Sequence, residues 1–237
     1  MGYISVSGIT LGSFESNTKD KSVIVLTDKI GKLRVRFKAV KSASSKRSGY
    51  AYDFVFEKIL LYKKQDFYTA TEARLINSFN GAKSSFKKAN ILNYFRELLI
   101  ILLPYEQPDY NVFKLFLNTL TLLNNEANEN LVLCYFTFNL LSFLGYPIKL
   151  PVNKNATIFF SPEKGGFNNE SGIVVNMGIV KEIEKFLSLN IIKEPKYEIK
   201  HFDEILRLLN LFVGYHADSS HLNDFLDNFE YLIRGEG

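Results

Sequence analysis

Between Lys32 and Ala39 the chain alternates strictly, with Lys32, Arg34, Arg36 and Lys38 on one side and Leu33, Val35, Phe37 and Ala39 on the other. A period of two predicts a half-buried strand whose wet face carries cations about 6–7 Å apart. That spacing approximates the phosphate repeat of a nucleic-acid backbone, so the stripe is a candidate polyanion contact. Lys41, Lys46 and Arg47 extend the positive charge into the small, polar segment Ser42 to Gly49, which predicts a basic loop. Tyr50 and Tyr52, nearest that loop, are the candidates for stacking on bases. Phe37, Phe54, Tyr62 and Tyr68 are expected mainly in a core. The other reading of the stripe is a solvated face whose lysines guard a sheet edge. Against it, cations at successive outward positions repel one another unless acids intervene, and none does here.

Catalytic constellations are poor by comparison. His216 and His221 stand near Asp218 and Asp224, but their spacing is not that of two ligands on one helical face. Turn and capping roles at the start of the last helix suit them better, and His201 likewise falls at a helix start. Asp53 and Glu57, with Lys58 beside them, resemble a nuclease fragment, although on a strand two such carboxylates form a wet face just as well. No glycine-rich loop followed by Lys-Ser or Lys-Thr occurs, and no dinucleotide fingerprint. Cys134, the single cysteine, sits in an apolar helix and is expected to be a buried structural thiol. Nucleophile, base and orienter are never brought together, so no enzyme is expected.

The elements that must position the stripe are short strands. Val23 to Leu26, the turn Asp28 to Gly31, the stripe itself, then Tyr52 to Tyr62 and Phe67 to Leu75 predict a small barrel within the first 80 residues. At Asn80-Gly81 the period changes. Helices are expected over Ser85 to Leu103, from an Asp109 cap to about Leu123, and from Glu129 to Leu144, with Gly145 and Pro147 as the stop. These three are expected to pack as a bundle. Residues 148–178, rich in glycine and proline, predict an irregular or β-like insert. Helices return near Val180 to Leu189, Phe202 to Tyr215 and His221 to Arg234. The fold class is α+β, with domains 1–80 and 81–237.

The 237 residues carry a net charge of +4, unevenly spread: residues 1–80 hold 14 Lys and Arg against 7 Asp and Glu. That places the polyanion contact in the barrel. A 46% hydrophobic, 23% charged composition excludes a disordered or collagen-like chain, and one cysteine excludes an intrachain disulfide. The low cysteine count and the lack of a basic start followed by an apolar run predict a cytoplasmic protein without a secretory signal. The apolar stretch Leu131 to Tyr146 is interrupted by Thr137, Asn139 and Ser142 and falls short of a bilayer span, so it is expected to be a buried helix.

Several segments taken together resemble the RecO family of bacterial recombination mediators. Leu26-Thr27-Asp28-Lys29-Ile30-Gly31-Lys32-Leu33 resembles its threonine-acidic-x-x-Gly-Lys-Leu stretch, and the Lys46-Arg47-Ser48-Gly49 loop follows in order. Thr71-Glu72-Ala73, leading to Phe79, resembles the closing strand. Leu102-Leu103-Pro104 and Leu140-Leu141-Ser142-Phe143-Leu144-Gly145-Tyr146-Pro147 are similar to its helix endings. Phe160-Ser161-Pro162-Glu163-Lys164-Gly165-Gly166 is similar to its Phe-Ser-Pro-x-x-Gly-Gly turn.

The resemblance implies an oligonucleotide/oligosaccharide-binding (OB) barrel followed by a helical domain. It implies binding of single- and double-stranded DNA, annealing of complementary strands, and help in loading RecA with RecR. It also implies contact between the helical domain and the tail of single-strand-binding protein. Many members hold zinc with four cysteines around the Phe-Ser-Pro turn. Here Leu150 to Lys154 and Asn168 to Gly172 contain none, so no zinc or other cofactor is expected. The rival expectations are a protein–protein adaptor whose basic barrel docks an acidic partner without engaging DNA, and a metal-dependent nuclease at Asp53 and Glu57.

Overall fold

The computed structural model describes residues 2–14, 20–38 and 52–234. The chain divides into two compact units, one of residues 1–80 with 98–120 and the other of 81–97 with 121–237.

The first unit contains five strands: β1 (Gly2–Phe14), β2 (Lys21–Thr27), β3 (Gly31–Phe37), β4 (Phe56–Lys64) and β5 (Phe67–Asn77). They close into a barrel in the order β1-β2-β3-β5-β4, the OB arrangement. Closure depends on a parallel pairing of β3 with β5, in which Val35 faces Tyr68, while every other pair is antiparallel. Val6, Val25, Leu33, Val35, Ile59 and Leu61 fill the interior. Gly8 completes it, since a Cβ there would sit 2.6 Å from a Val25 methyl.

β1, the longest strand, is absent from the sequence expectation, although Ile4 and Val6 alternate with Tyr3, Ser5 and Ser7 at its start. The strand expected from Tyr52 begins instead at Phe56. Phe54 takes φ 55°, and its N–H donates to the Thr10 carbonyl at 2.8 Å, so residues 52–55 turn before the ladder resumes. Thr10 fastens this turn to a bulge in β1: its hydroxyl accepts from Val55 N–H at 3.0 Å and donates to the Tyr52 carbonyl.

The helices fall where periodicity predicts them. In α1 (Phe86–Leu102) and α2 (Tyr110–Asn124) the boundaries are Pro104 and an Asp109 cap, whose carboxylate accepts from the N–H groups of Asn111 and Val112 at 2.8 and 3.1 Å. α3 (Glu129–Phe143) is capped by Asn128 and is apolar nearly all round, with Leu131, Cys134, Phe136 and Leu140 buried, as a core helix must be. Phe95 of α1 meets Phe136 of α3, ring centres 4.2 Å apart. The insert forms a three-stranded sheet in the order β7-β6-β8, from β6 (Phe159–Ser161), β7 (Gly166–Asn168) and β8 (Ile173–Val174). α4 (Met177–Ser188), α5 (Phe202–Ala217) and α6 (Ser220–Arg234) complete the second unit. Among the described residues no helix is long and apolar enough to cross a membrane.

Candidate nucleic-acid interface

The stripe is built by β3. Leu33, Val35 and Phe37 point into the barrel, and the alternation turns Arg34 and Arg36 outward; both are exposed, as is Lys38 in the turn beyond. Arg36 keeps a side-chain exposure of 59% while its Nε donates to the Asp20 carboxylate at 2.7 Å. An exposed pair of this kind contributes about 0–1 kcal/mol, so the guanidinium can exchange Asp20 for another anion at little cost. Tyr52 is 56% exposed, with the Lys21 ammonium 5.8 Å from its ring centre. Lys41, Lys46, Arg47 and Tyr50 lie outside the described residues.

Lys32 departs from the expectation. Only 2% of it is exposed. Its ammonium donates to the Ile100 carbonyl in the last turn of α1 and lies 4.4 Å from the centre of the Tyr105 ring. A cation at a helix C-terminus answers carbonyls that have no partner within the helix. Burial still pulls its pKa down to about 8. Lys32 is thus a fastening within the first unit and is withdrawn from the solvent stripe.

The neighbouring motif residues serve the same fastening. Thr27 Oγ1 accepts from Ile30 N–H at 3.1 Å and donates to the Gly31 carbonyl at 2.9 Å, closing the turn. The Asp28 carboxylate accepts from Ser7 N–H at 2.9 Å. Gly31, at φ 84°, has no room for a Cβ because the Gln107 carbonyl lies against it. Glu106 N–H then donates to the Lys32 carbonyl at 3.0 Å. The Glu106 side chain accepts from Lys63 and from the Tyr68 hydroxyl, both at 2.9 Å. These two partners, Lys63 foremost, hold the Glu106 carboxyl below its usual range, and Glu106 in turn raises Lys63. No signal in residues 27–33 announces this cover, which comes from some 70 positions downstream.

The other candidates are not brought together. Glu57 is fully buried, and Asp53 lies in the turn before β4, so the two carboxylates do not share a wet face. His216 packs against Phe212 and Tyr146, ring centres 4.4 and 4.5 Å away, and loss of solvent lowers its pKa. His221 and Asp224 are exposed on α6, and Asp218 takes the left-handed conformation that ends α5. Among the described residues no three His, Cys, Asp or Glu side chains gather for a metal. Cys134 is buried, and desolvation raises its thiol pKa.

The insert does not fit zinc either: the two stretches offer asparagine amides and one carboxylate, Glu170, which is paired with Lys164. Asn169 accepts from Asn153 N–H at 3.1 Å and donates to the Asn153 and Thr157 carbonyls at 2.9 and 3.1 Å. Asn168 accepts from the N–H groups of Glu170 and Ser171 at 2.9 and 3.0 Å. The two stretches that the resemblance marks for cysteines are therefore joined by asparagine hydrogen bonds.

Residues 83–152 match a family model described as recombination protein O C terminal. A DNA repair protein RecO from Clostridium novyi (strain NT) is 31% identical over an alignment 254 positions long, gaps included, covering 99% of this chain and 98% of its own. One from Dehalococcoides mccartyi (strain ATCC BAA-2266 / KCTC 15142 / 195) is 30% identical over 205 residues, 81% of this chain and 80% of the relative. One from Caldicellulosiruptor bescii is 26% identical over 211 residues, 84% and 86% of the two chains.

Proposed function

The chain belongs to the RecO family of DNA repair and recombination proteins, and from that premise we propose that it works by binding DNA, single- and double-stranded, and annealing complementary strands. In this reading residues 1–80 are the nucleic-acid-binding OB domain and 81–237 the helical domain. Its place is the cytoplasm, where with RecR it helps load RecA onto DNA coated by single-strand-binding protein. No catalytic group or cofactor takes part.

The observation that carries the reading is the outward row Arg34 and Arg36 on β3, continued by Lys38, on a barrel of OB topology. Lys41, Lys46 and Arg47 add charge in sequence, and Tyr50 and Tyr52 are the residues assigned to stack on bases. Phosphates on two strands oppose the approach of those strands. Cations that neutralise both lower that repulsion, and annealing follows from binding alone. Contact with n phosphates of a single strand releases counterions, so log K should fall with log salt at a slope of about −0.7 per contact.

Fluorescence anisotropy of a labelled single-stranded oligonucleotide across a salt titration tests this. A steep negative slope is expected. Weak binding with no salt dependence would overturn the DNA mechanism and favour a protein-docking barrel.

A further inference from the structure

The barrel carries a further aromatic feature, on β1 and β4. Register aligns four outward residues in one row across four strands: Arg36 faces Thr69, Thr69 faces Tyr62, and Tyr62 faces Tyr3. At about 4.8 Å between strands the row is about 14 Å long. Tyr3 is 67% exposed and its ring centre lies 5.1 Å from that of Tyr62, the planes tilted by 47°. Two residues further along β4 on the same face stands Lys64, exposed, opposite Phe67, which is 73% exposed. In the other direction the face continues through Leu60 to Lys58, opposite Arg74, both exposed. Glu72, opposite Leu60, is the one acid in these rows.

Cross-strand aromatic pairing contributes about 0.2–1 kcal/mol to a sheet, and that accounts for the contact between the two rings. It does not account for an apolar surface that leaves Tyr3 and Phe67 in water with cations on three sides. We propose that Tyr3 and Tyr62 form a stacking platform for the bases of single-stranded nucleic acid, with Arg36, Lys64 and Lys58 taking the phosphates around it. The proposal rests on the nucleic-acid reading above and adds to it a base contact on β1 and β4. The occupant follows from the chemistry: every base offers a π-face, and outward positions on a strand repeat at about 6.6–7 Å, close to the nucleotide repeat of an extended strand. The flanking cations answer phosphates and would repel a basic partner.

The test uses the full chain with two labelled strands of equal length, oligothymidylate and an abasic strand of the same charge. Wild type should prefer the thymidylate strand. Tyr3→Ala should bind it about tenfold less tightly, with an unchanged salt slope and unchanged affinity for the abasic strand. Tyr3→Phe should restore binding. The chain contains no tryptophan, so Tyr3→Trp introduces a single indole, whose emission should be quenched by the thymidylate strand and not by the abasic one. Equal affinity of wild type and Tyr3→Ala for thymidylate, with binding otherwise intact, would overturn the platform and leave the phosphate reading standing. Equal losses on both strands, or a shallower salt slope, would show that Tyr3 acts through charge or fold and would also overturn it. Failure of wild type to bind either strand would overturn both readings.

Discussion

Replacing Arg34 and Arg36 together with glutamine should remove two phosphate contacts and leave the barrel intact. Both side chains point away from the core, and their backbone hydrogen bonds with β2 do not involve the guanidinium groups. Exposed substitutions of this kind usually change stability by no more than about 0.5 kcal/mol. The binding effect is larger. Each lost contact should make the log–log salt slope shallower by about 0.7, so the double variant should differ by about 1.4. At about 0.1 M salt, release of one counterion contributes roughly a fivefold factor relative to 1 M. Two contacts then amount to about 25-fold in affinity, close to 2 kcal/mol. Asp20→Asn supplies the opposite perturbation: it removes the carboxylate that Arg36 holds at 2.7 Å and should tighten binding by about two- to fivefold. Anisotropy titrations of the three proteins at four salt concentrations, alongside thermal melts, measure all of this. A folded double variant with wild-type affinity and slope would refute the assignment of β3 to phosphate.

Three further outcomes follow from the fastening of the first unit and from the insert. Lys32 has a folded pKa of about 8 against an ordinary 10.5, so between those pH values the unfolded chain holds more protons and stability gains from Lys32 as pH rises. Urea unfolding of wild type and Lys32→Met at pH 7 and 10 should therefore show the difference moving in favour of wild type at pH 10; a difference independent of pH would refute the buried charge. Gly31→Ala forces a left-handed conformation costing about 1–2 kcal/mol and drives a Cβ into the Gln107 carbonyl, so its melting temperature should fall, and an unchanged melt would contradict that close approach. Asn169→Ala deletes three hydrogen bonds and should lower local stability by about 1–2 kcal/mol. Hydrogen exchange at Phe160 and Phe167 should speed up accordingly, while a zinc chelator leaves wild-type exchange unchanged.

Local pattern alone was enough for much of this protein. Alternation turned Arg34 and Arg36 outward, the change of period at Asn80-Gly81 marked where strands give way to helices, and Asp109, Gly145 and Pro104 placed helix ends. Each of these is a short-range matter: which way a side chain points, or which orphan amide a cap answers, depends on residues a few positions away. The same alternation predicts Lys32 on the wet face, and geometrically it is right, since Lys32 shares the outward side with Arg34. The tertiary structure decides otherwise, because the chain at 98–107 returns to cover that end of β3 and offers Lys32 the Ile100 carbonyl and the Tyr105 ring. Glu57 is a different case: it shares the inward face of β4 with Ile59 and Leu61, so alternation alone turns it into the barrel, and reading Asp53 and Glu57 as a wet pair overlooks that parity. The row from Arg36 to Tyr3 was beyond reach for a reason related to that of Lys32. Its members come from four strands: the antiparallel pairings of β4 with β5 and β1 align Thr69, Tyr62 and Tyr3, and Arg36 joins them only through the parallel β3–β5 pairing that closes the barrel. Exposure and cross-strand register belong to contacts between distant segments, and a linear pattern does not contain them.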